Sequence, residues 1–217
     1  MLNDVDAVLD TIFESVFEGN ARRTTEQVCQ ALAAGCDPAA ILDEALIAAM
    51  EEVGRCFEKQ ECFVPEMLAA ARAMKAALGI LKPYLLTADV EPVGKVVLGT
   101  VKGDVHDIGK NLVAMMFEGA GFAVIDLGVD VSPEQFVDAV QEHQPTFVGL
   151  SALLTTTVRN MRLVVKALKE AGVRDQVTLM VGGAPVTQQF ADEIGADIFA
   201  ADAPAAAAWA KAALAVV

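Results

Sequence analysis

The sequence predicts two consecutive parts: a four-helix bundle over residues 1–88, and an α/β domain with a five-stranded parallel sheet over residues 95–217. A linker at 89–94 joins them. Three observations predict this. Apolar residues recur at helical spacing as far as Leu81. The stretch 87–94, Thr-Ala-Asp-Val-Glu-Pro-Val-Gly, has no such stripe, and its Pro and Gly mark a boundary. From Lys95 on, short runs of apolar residues alternate with helical patterns, the signature of a parallel sheet covered on both faces.

The first helix is expected over 4–17, with Val5, Val8, Leu9, Ile12, Phe13, Val16 and Phe17 on one face and Gly19-Asn20 as its stop. A second runs from about Thr24 to Ala34, with Val28, Ala31 and Leu32 inward. Asp37 can cap a third, and Pro38 fits its first turn. That helix places Ile41, Leu42, Ala45, Leu46, Ala49, Met50, Val53 and Phe57 on one face. Pro65 opens the fourth, which turns Met67, Leu68, Ala71, Met74, Leu78 and Leu81 inward, and Pro83 is expected to disturb its last turn. Amphipathic helices with short connections make a bundle.

In the second part, strands are expected at 95–101, 122–127, 146–151, 177–182 and 197–200, and helices at 109–119, 133–143, 156–171, 187–194 and 203–216. Five such units suit a flavodoxin- or Rossmann-like order with its switch point beside the first strand.

Bulk composition excludes several function classes. The net charge is −14, with 16 basic against 30 acidic residues, which disfavours nucleic acid or an anionic membrane as partner. Up to residue 92 there are 7 basic and 16 acidic residues, and beyond it 9 and 14, so neither half is a basic module. No apolar run reaches the roughly 18 residues of a membrane span. The acidic opening Met-Leu-Asn-Asp-Val-Asp is unlike a secretory signal, and a cytoplasmic protein is expected. Cys29, Cys36, Cys56 and Cys62 form no Cys-x-x-Cys pair and read as small buried residues rather than zinc or iron–sulfur ligands.

The chemistry concentrates in Gly103-Asp104-Val105-His106-Asp107-Ile108-Gly109-Lys110-Asn111, where the first strand turns into a helix. Open α/β sheets bind ligands on such loops. His106, one of two histidines, has a carboxylate two residues before it. Asp104 could accept the proton of one ring nitrogen, fixing the tautomer and leaving the other nitrogen for a metal. The bland reading is a helix-capping aspartate beside an exposed loop histidine. After the third strand, Gly149-Leu-Ser-Ala-Leu-Leu-Thr-Thr-Thr157 offers hydroxyls without a Gly-x-Ser-x-Gly elbow, so hydrolysis is poorly supported; Thr155 or Thr156 could simply cap a helix. Gly182-Gly183, after the fourth strand, would let a backbone approach closely, or would merely end the strand.

The stretch from Thr100 to Asn111, Thr-Val-Lys-Gly-Asp-Val-His-Asp-Ile-Gly-Lys-Asn, resembles the cobalamin-binding signature of methionine synthase and its relatives. It is most similar to the small corrinoid proteins of methanol, methylamine, betaine and methoxyarene methyltransferase systems, and the resemblance covers nearly the whole chain. It implies cobalamin bound base-off, cycling between cob(I)alamin and methylcob(III)alamin, with His106 as lower axial cobalt ligand and Asp104 as its hydrogen-bond partner. Gly103, Val105, Asp107, Ile108 and Gly109 would complete the loop against the cofactor. Ser151, Leu153 and Thr155 match the motif that takes in the nucleotide tail, and Gly182 and Gly183 its floor. Thr157 stands where methionine synthase has the serine of an Asp–His–Ser relay. Ala203 falls near a further cofactor position. Phe57 and Val64 match the phenylalanine and leucine with which the helical cap covers the corrin; they are otherwise simple bundle core.

The implied function is methyl carriage on cobalt, from a substrate-specific methyltransferase to a second one acting on tetrahydrofolate or coenzyme M, with a reductive activator as third partner. The chain would be a carrier subunit rather than a catalyst by itself, and 89–94 a hinge that frees the upper face. The rivals are a cobalamin-dependent sensor, for which no basic recognition helix is found; the binding subunit of an adenosylcobalamin mutase, which lacks this kind of cap; and a flavodoxin-like domain that binds nothing.

Overall fold

The computed structural model describes residues 2–87 and 91–214. Ala88, the end of the expected bundle, 89–90, the start of the expected linker, and 215–217, which include the end of the last expected helix, lie outside the described residues. The chain divides into two compact units, Met1–Val93 with Glu118–Gly121 and Gly94–Phe117 with Phe122–Val217.

The first unit is helical. Helix α1 (Leu2–Phe17) buries Leu9, Ile12 and Val16, while Val5 and Phe17 at the ends of its apolar stripe stay exposed. Gly19 ends it at φ +71°, and a side chain there would overlap Ala69. Helix α2 (Ala21–Ala33) begins three residues earlier than expected, because the Asn20 side chain accepts the Arg23 N–H and caps it. It buries Val28 and Ala31, with Leu32 only half-buried. Asp37 caps α3 (Pro38–Ala40), as its spacing implied, by accepting from the Ala39 N–H at 3.1 Å.

The helix continues as a π-helical stretch, Ile41–Ile47, and then as α4 (Ala48–Glu58). The wider π turn rotates the buried face. Ile47 comes inside, whereas Leu42, expected inward, is half-buried. Helix α5 (Val64–Thr87) runs through Pro83 rather than faltering there. The proline ring crowds the carbonyl four residues back, that of Gly79, which is exposed with open space around it and can tilt into water. Cys56 alone of the four free thiols is buried; Cys36 and Cys62 are intermediate and Cys29 is exposed, against the expectation of buried cysteines. No described helix is long and apolar enough to cross a membrane.

The second unit is a five-stranded sheet in the order β2-β1-β3-β4-β5, all neighbours parallel. The strands are β1 (Lys95–Thr100), β2 (Ala123–Asp126), β3 (Phe147–Ser151), β4 (Thr178–Gly182) and β5 (Ile198–Ala200). Between and after them lie α6 (Ile108–Gly119), α7 (Pro133–His143), α8 (Met161–Glu170), α9 (Gln188–Ile194) and α10 (Ala203–Leu214). Strand β1 is buried from Val96 to Thr100, as a central parallel strand covered on both faces must be. Ser132 and Gln135 close a capping box on α7, and Pro133 takes the first turn. One side of the sheet packs Val97, Val148, Leu150 and Leu179 against Phe136, Val140, Val164 and Leu168. This is the flavodoxin-like order expected of the sequence. Its switch point lies between β1 and β3, where the chain leaves in opposite directions and opens a crevice at the strand ends.

Candidate functional site

Strand β1 leads into a hydrogen-bonded turn, with the Asp104 N–H donating to the Val101 carbonyl at 3.1 Å and Gly103 in third place at φ +83°. A left-handed third residue is what a type II turn requires, so glycine belongs there for the chain's own sake. The turn drives the Asp104 side chain inward until it is fully buried.

Both carboxylate oxygens of Asp104 are satisfied. Oδ1 receives the His106 N–H at 3.0 Å and His106 Nδ1 at 2.8 Å. Oδ2 receives the Leu153 N–H at 2.9 Å, the Leu154 N–H at 3.3 Å and the Thr157 hydroxyl at 2.6 Å. Burial on its own raises the pKa of this group. The donors from Thr157, His106 and Leu153 outweigh it and hold the carboxyl well below the usual carboxylate range. An ionised carboxylate only accepts, so Nδ1 carries a ring proton, and in the neutral ring the lone pair is then on Nε2. The His106 side chain is 46% exposed, and the Thr100 hydroxyl fastens its backbone carbonyl at 3.0 Å. Chemically, this is an imidazole whose Nδ1 is committed to a buried carboxylate and whose Nε2 faces away from that bond, the arrangement that orients a histidine toward a metal.

Asp104 therefore does not cap the helix that follows it. It caps the exit of β3 instead, binding the loop after β1 to the loop after β3 across the crevice. Ser151 ends β3 and lies half-buried, while Leu153 and Thr155 are exposed. Thr157 is buried beside Asp104. Around His106, Val105 and Ile108 are 69% and 77% exposed, and Gly103, Asp107 and Gly109 are exposed as well.

Gly109 stands in the first turn of α6, with nothing within 4 Å of where a Cβ would be. The chain itself gives no steric reason for glycine there. Gly183 differs: at φ +128°, a Cβ would run into the Ala152 carbonyl oxygen, so this glycine serves the close approach of two backbones. Gly182 sits 3.1 Å, by the same measure, from the Ala200 carbonyl. Ala203 is buried in the first turn of α10. In the helical unit, Phe57 is half-buried on α4 and Val64 is 38% exposed at the start of α5.

Sequence reasoning missed several residues of the loop's frame. Asp130 accepts from Lys102 Nζ and from the Gly103 N–H, both at 2.8 Å. The lysine ammonium and then the backbone donor hold its carboxyl below the usual range. The Asn160 amide donates to the Lys102 carbonyl at 2.6 Å. Lys110, 3% exposed, meets both Asp126 oxygens at 2.6 and 2.7 Å. Only Lys110, apolar in its surroundings yet charged at the head of a helix, left a trace in the sequence; the other partners lie on distant loops.

Comparison with known proteins now decides the family. A B12 binding domain model matches residues 94–209, and a second B12 binding domain model matches residues 8–82. Trimethylamine corrinoid protein 2 of Methanosarcina mazei is 48% identical over 204 residues, covering 93% of this chain and 94% of the relative. This chain belongs to the B12-binding corrinoid proteins of methyltransferase systems. The corrinoid protein is also 40% identical to dimethylamine corrinoid protein 3 of Methanosarcina acetivorans, over 96% of this chain and 97% of that one. Among solved structures, it is similar to the methanol:cobalamin methyltransferase complex of Methanosarcina barkeri, with a TM-score of 0.88 and 32% identity, covering 98% of this chain and 81% of that one. A cobalamin-binding protein of Desulfitobacterium hafniense matches with a TM-score of 0.78 and 33% identity, over 94% of this chain and 97% of that one. A helical part followed by a Rossmann-like domain is thus the family's arrangement, as the corrinoid protein's sequence suggested.

Proposed function

We propose that the protein carries a methyl group on cobalt, holding cobalamin base-off with His106 Nε2 as the lower axial ligand. The single observation behind this reading is the buried, ionised Asp104, which fixes the proton on His106 Nδ1 and so presents Nε2 as a ligand. The surrounding residues fit a large, flat, apolar-faced group. Val105, Ile108 and Leu153, on the two loops that Asp104 joins, expose apolar side chains, and Gly109 leaves a face clear that the chain does not itself use. Bound cobalamin supplies a cobalt centre that takes up a methyl group and gives it on.

The chain's own residues bind, orient and hold a proton. Asp104 makes His106 a stronger donor, and Thr157 keeps Asp104 ionised by donating to Oδ2. Gly103, Asp107 and the rest of the first loop frame the imidazole. Ser151, Leu153 and Thr155 would contact the nucleotide tail, Gly182 and Gly183 would form its floor, and Ala203 would add a further contact. Phe57 and Val64 are the helical domain's apolar contribution, with 1–88 and 95–217 as the domains and 89–94 as the segment between them.

A methyltransferase partner is supported by the corrinoid relatives and by the methanol:cobalamin methyltransferase complex. The roles we assign are a substrate-specific methyltransferase as donor, a second one using tetrahydrofolate or coenzyme M as acceptor, and a reductive activator, all in the cytoplasm. A sensor function is not favoured, since the relatives that match along nearly the whole chain are corrinoid proteins of methylamine systems.

The test is reconstitution with hydroxocobalamin. His106→Ala should remove the superhyperfine splitting from an axial protein nitrogen in the EPR of the Co(II) form and shift the visible spectrum. Unchanged spectra would reject His106 as the ligand.

A further inference from the structure

We propose that Asp130 and Asn160 are positioning residues for His106, which jointly lock the peptide group between Lys102 and Gly103 from opposite ends. The inference rests on the reading of His106 as the cobalt ligand. That peptide is the centre of the turn carrying Asp104 and His106. Its N–H, on Gly103, donates to Asp130 Oδ1 at 2.8 Å, and its carbonyl, on Lys102, accepts from Asn160 Nδ2 at 2.6 Å. The two side chains come from different places: Asp130 from the loop after β2, and Asn160 from the 3-10 turn Val158–Asn160 that precedes α8.

The central peptide of a four-residue turn is its weak point. Types I and II differ by a flip of that one group. Flipped, this peptide would turn its carbonyl toward the Asp130 carboxylate and its N–H toward the Asn160 amide donor. Both bonds would be lost and two like-polarity contacts made.

Asp130 is itself pinned. Lys102 Nζ binds its Oδ2 at 2.8 Å, its own N–H donates to the Asp104 carbonyl at 2.9 Å, and Val131 beside it bridges to Val101. Its φ of +56° is uncommon outside glycine and persists only where the surroundings over-determine it. A surface ion pair alone would not need that backbone. Aspartate and asparagine tolerate it, and either can present an oxygen to the Gly103 N–H. The clamp thus fixes a peptide adjoining Asp104, and through Asp104 the ring of His106.

The test uses the full chain. Asp130→Gly removes the carboxylate without a left-handed penalty, and Asp130→Asn keeps an acceptor for Gly103. In the 15N-labelled apoprotein, Asp130→Gly should speed exchange of the Gly103 amide about tenfold or more and broaden or abolish the His106 Nδ1 proton resonance. Asp130→Asn should restore both. Reconstituted with hydroxocobalamin, Asp130→Gly should show a smaller nitrogen-ligated fraction than wild type. Wild-type Gly103 exchange and Nδ1 signal in Asp130→Gly would overturn the proposal, as would a lower melting temperature with both signals unchanged. Should that variant not fold, Asn160→Ala breaks the other end of the same peptide and is read by the same two signals, with the same overturning result. If His106→Ala leaves the cobalt spectra of the wild type unaltered, the ligand assignment fails, while the apoprotein signals still decide the clamp.

Discussion

The Thr157 hydroxyl lies 2.6 Å from Asp104 Oδ2, a contact between residues 53 positions apart. It joins the loop after β1 to the loop after β3. The methyl group of Thr157 does not disturb the bond: the residue is buried, and even a Cβ added to Gly103 would stand 3.7 Å from its Cγ2. Thr157→Val keeps the shape and removes the donor. It should cost roughly 1.5–3 kcal/mol, the range for a hydrogen bond to a charged group, whereas Thr157→Ser should cost less than about 1 kcal/mol. Urea unfolding of the two variants separates these outcomes, and equal losses would count against the bond.

Acid should weaken the fold through Asp104. Its folded-state pKa is depressed, so the unfolded state binds the extra proton and the contribution is present in full above the unfolded value of about 4. It is lost as the pH falls below that value. Comparing the urea midpoints of wild type and Asp104→Asn at pH 7 and near pH 3 isolates this group from the other carboxylates. The gap between the two proteins should narrow in acid; a gap that stays constant would contradict the linkage.

Two glycines should answer alanine in opposite ways. Gly183→Ala collides with the Ala152 carbonyl at a left-handed φ and should cost about 2 kcal/mol or more. Gly109→Ala meets nothing in the chain and should stabilise the apoprotein by roughly 0.5–1 kcal/mol, as alanine does within helices. The same Gly109→Ala change should weaken hydroxocobalamin uptake. Thermal melts of the apoproteins together with a binding titration read both effects.

The Lys110–Asp126 pair is lopsided, with the ammonium 3% and the carboxylate side chain 40% exposed. Asp126→Ala leaves the buried ammonium with no counter-charge, only the neutral Asn111 amide oxygen at 2.8 Å, and should cost about 3 kcal/mol. Lys110→Met leaves a carboxylate that water can reach and should cost markedly less. Equal losses in chemical unfolding would refute this asymmetry.

The chain's sequence by itself determined the order of elements. Strand runs such as Val96-Val97-Leu98 and the helical stripes from Val8 to Leu81 are local periodicities, and local periodicity is what a linear sequence records. It also exposed the pairing of Asp104 with His106, because a two-residue separation on one loop survives in the linear order. The π-helical stretch Ile41–Ile47 left no such signal, since its apolar pattern fits an ordinary helix equally well. Only the tertiary structure decided that Asp104 is fully buried and that Leu153, Leu154 and Thr157 converge on its second oxygen. It likewise decided that Asp130 and Asn160 grip the turn. Those bonds close loops of tens of residues, and their partners become neighbours only once β1, β2 and β3 pair in register.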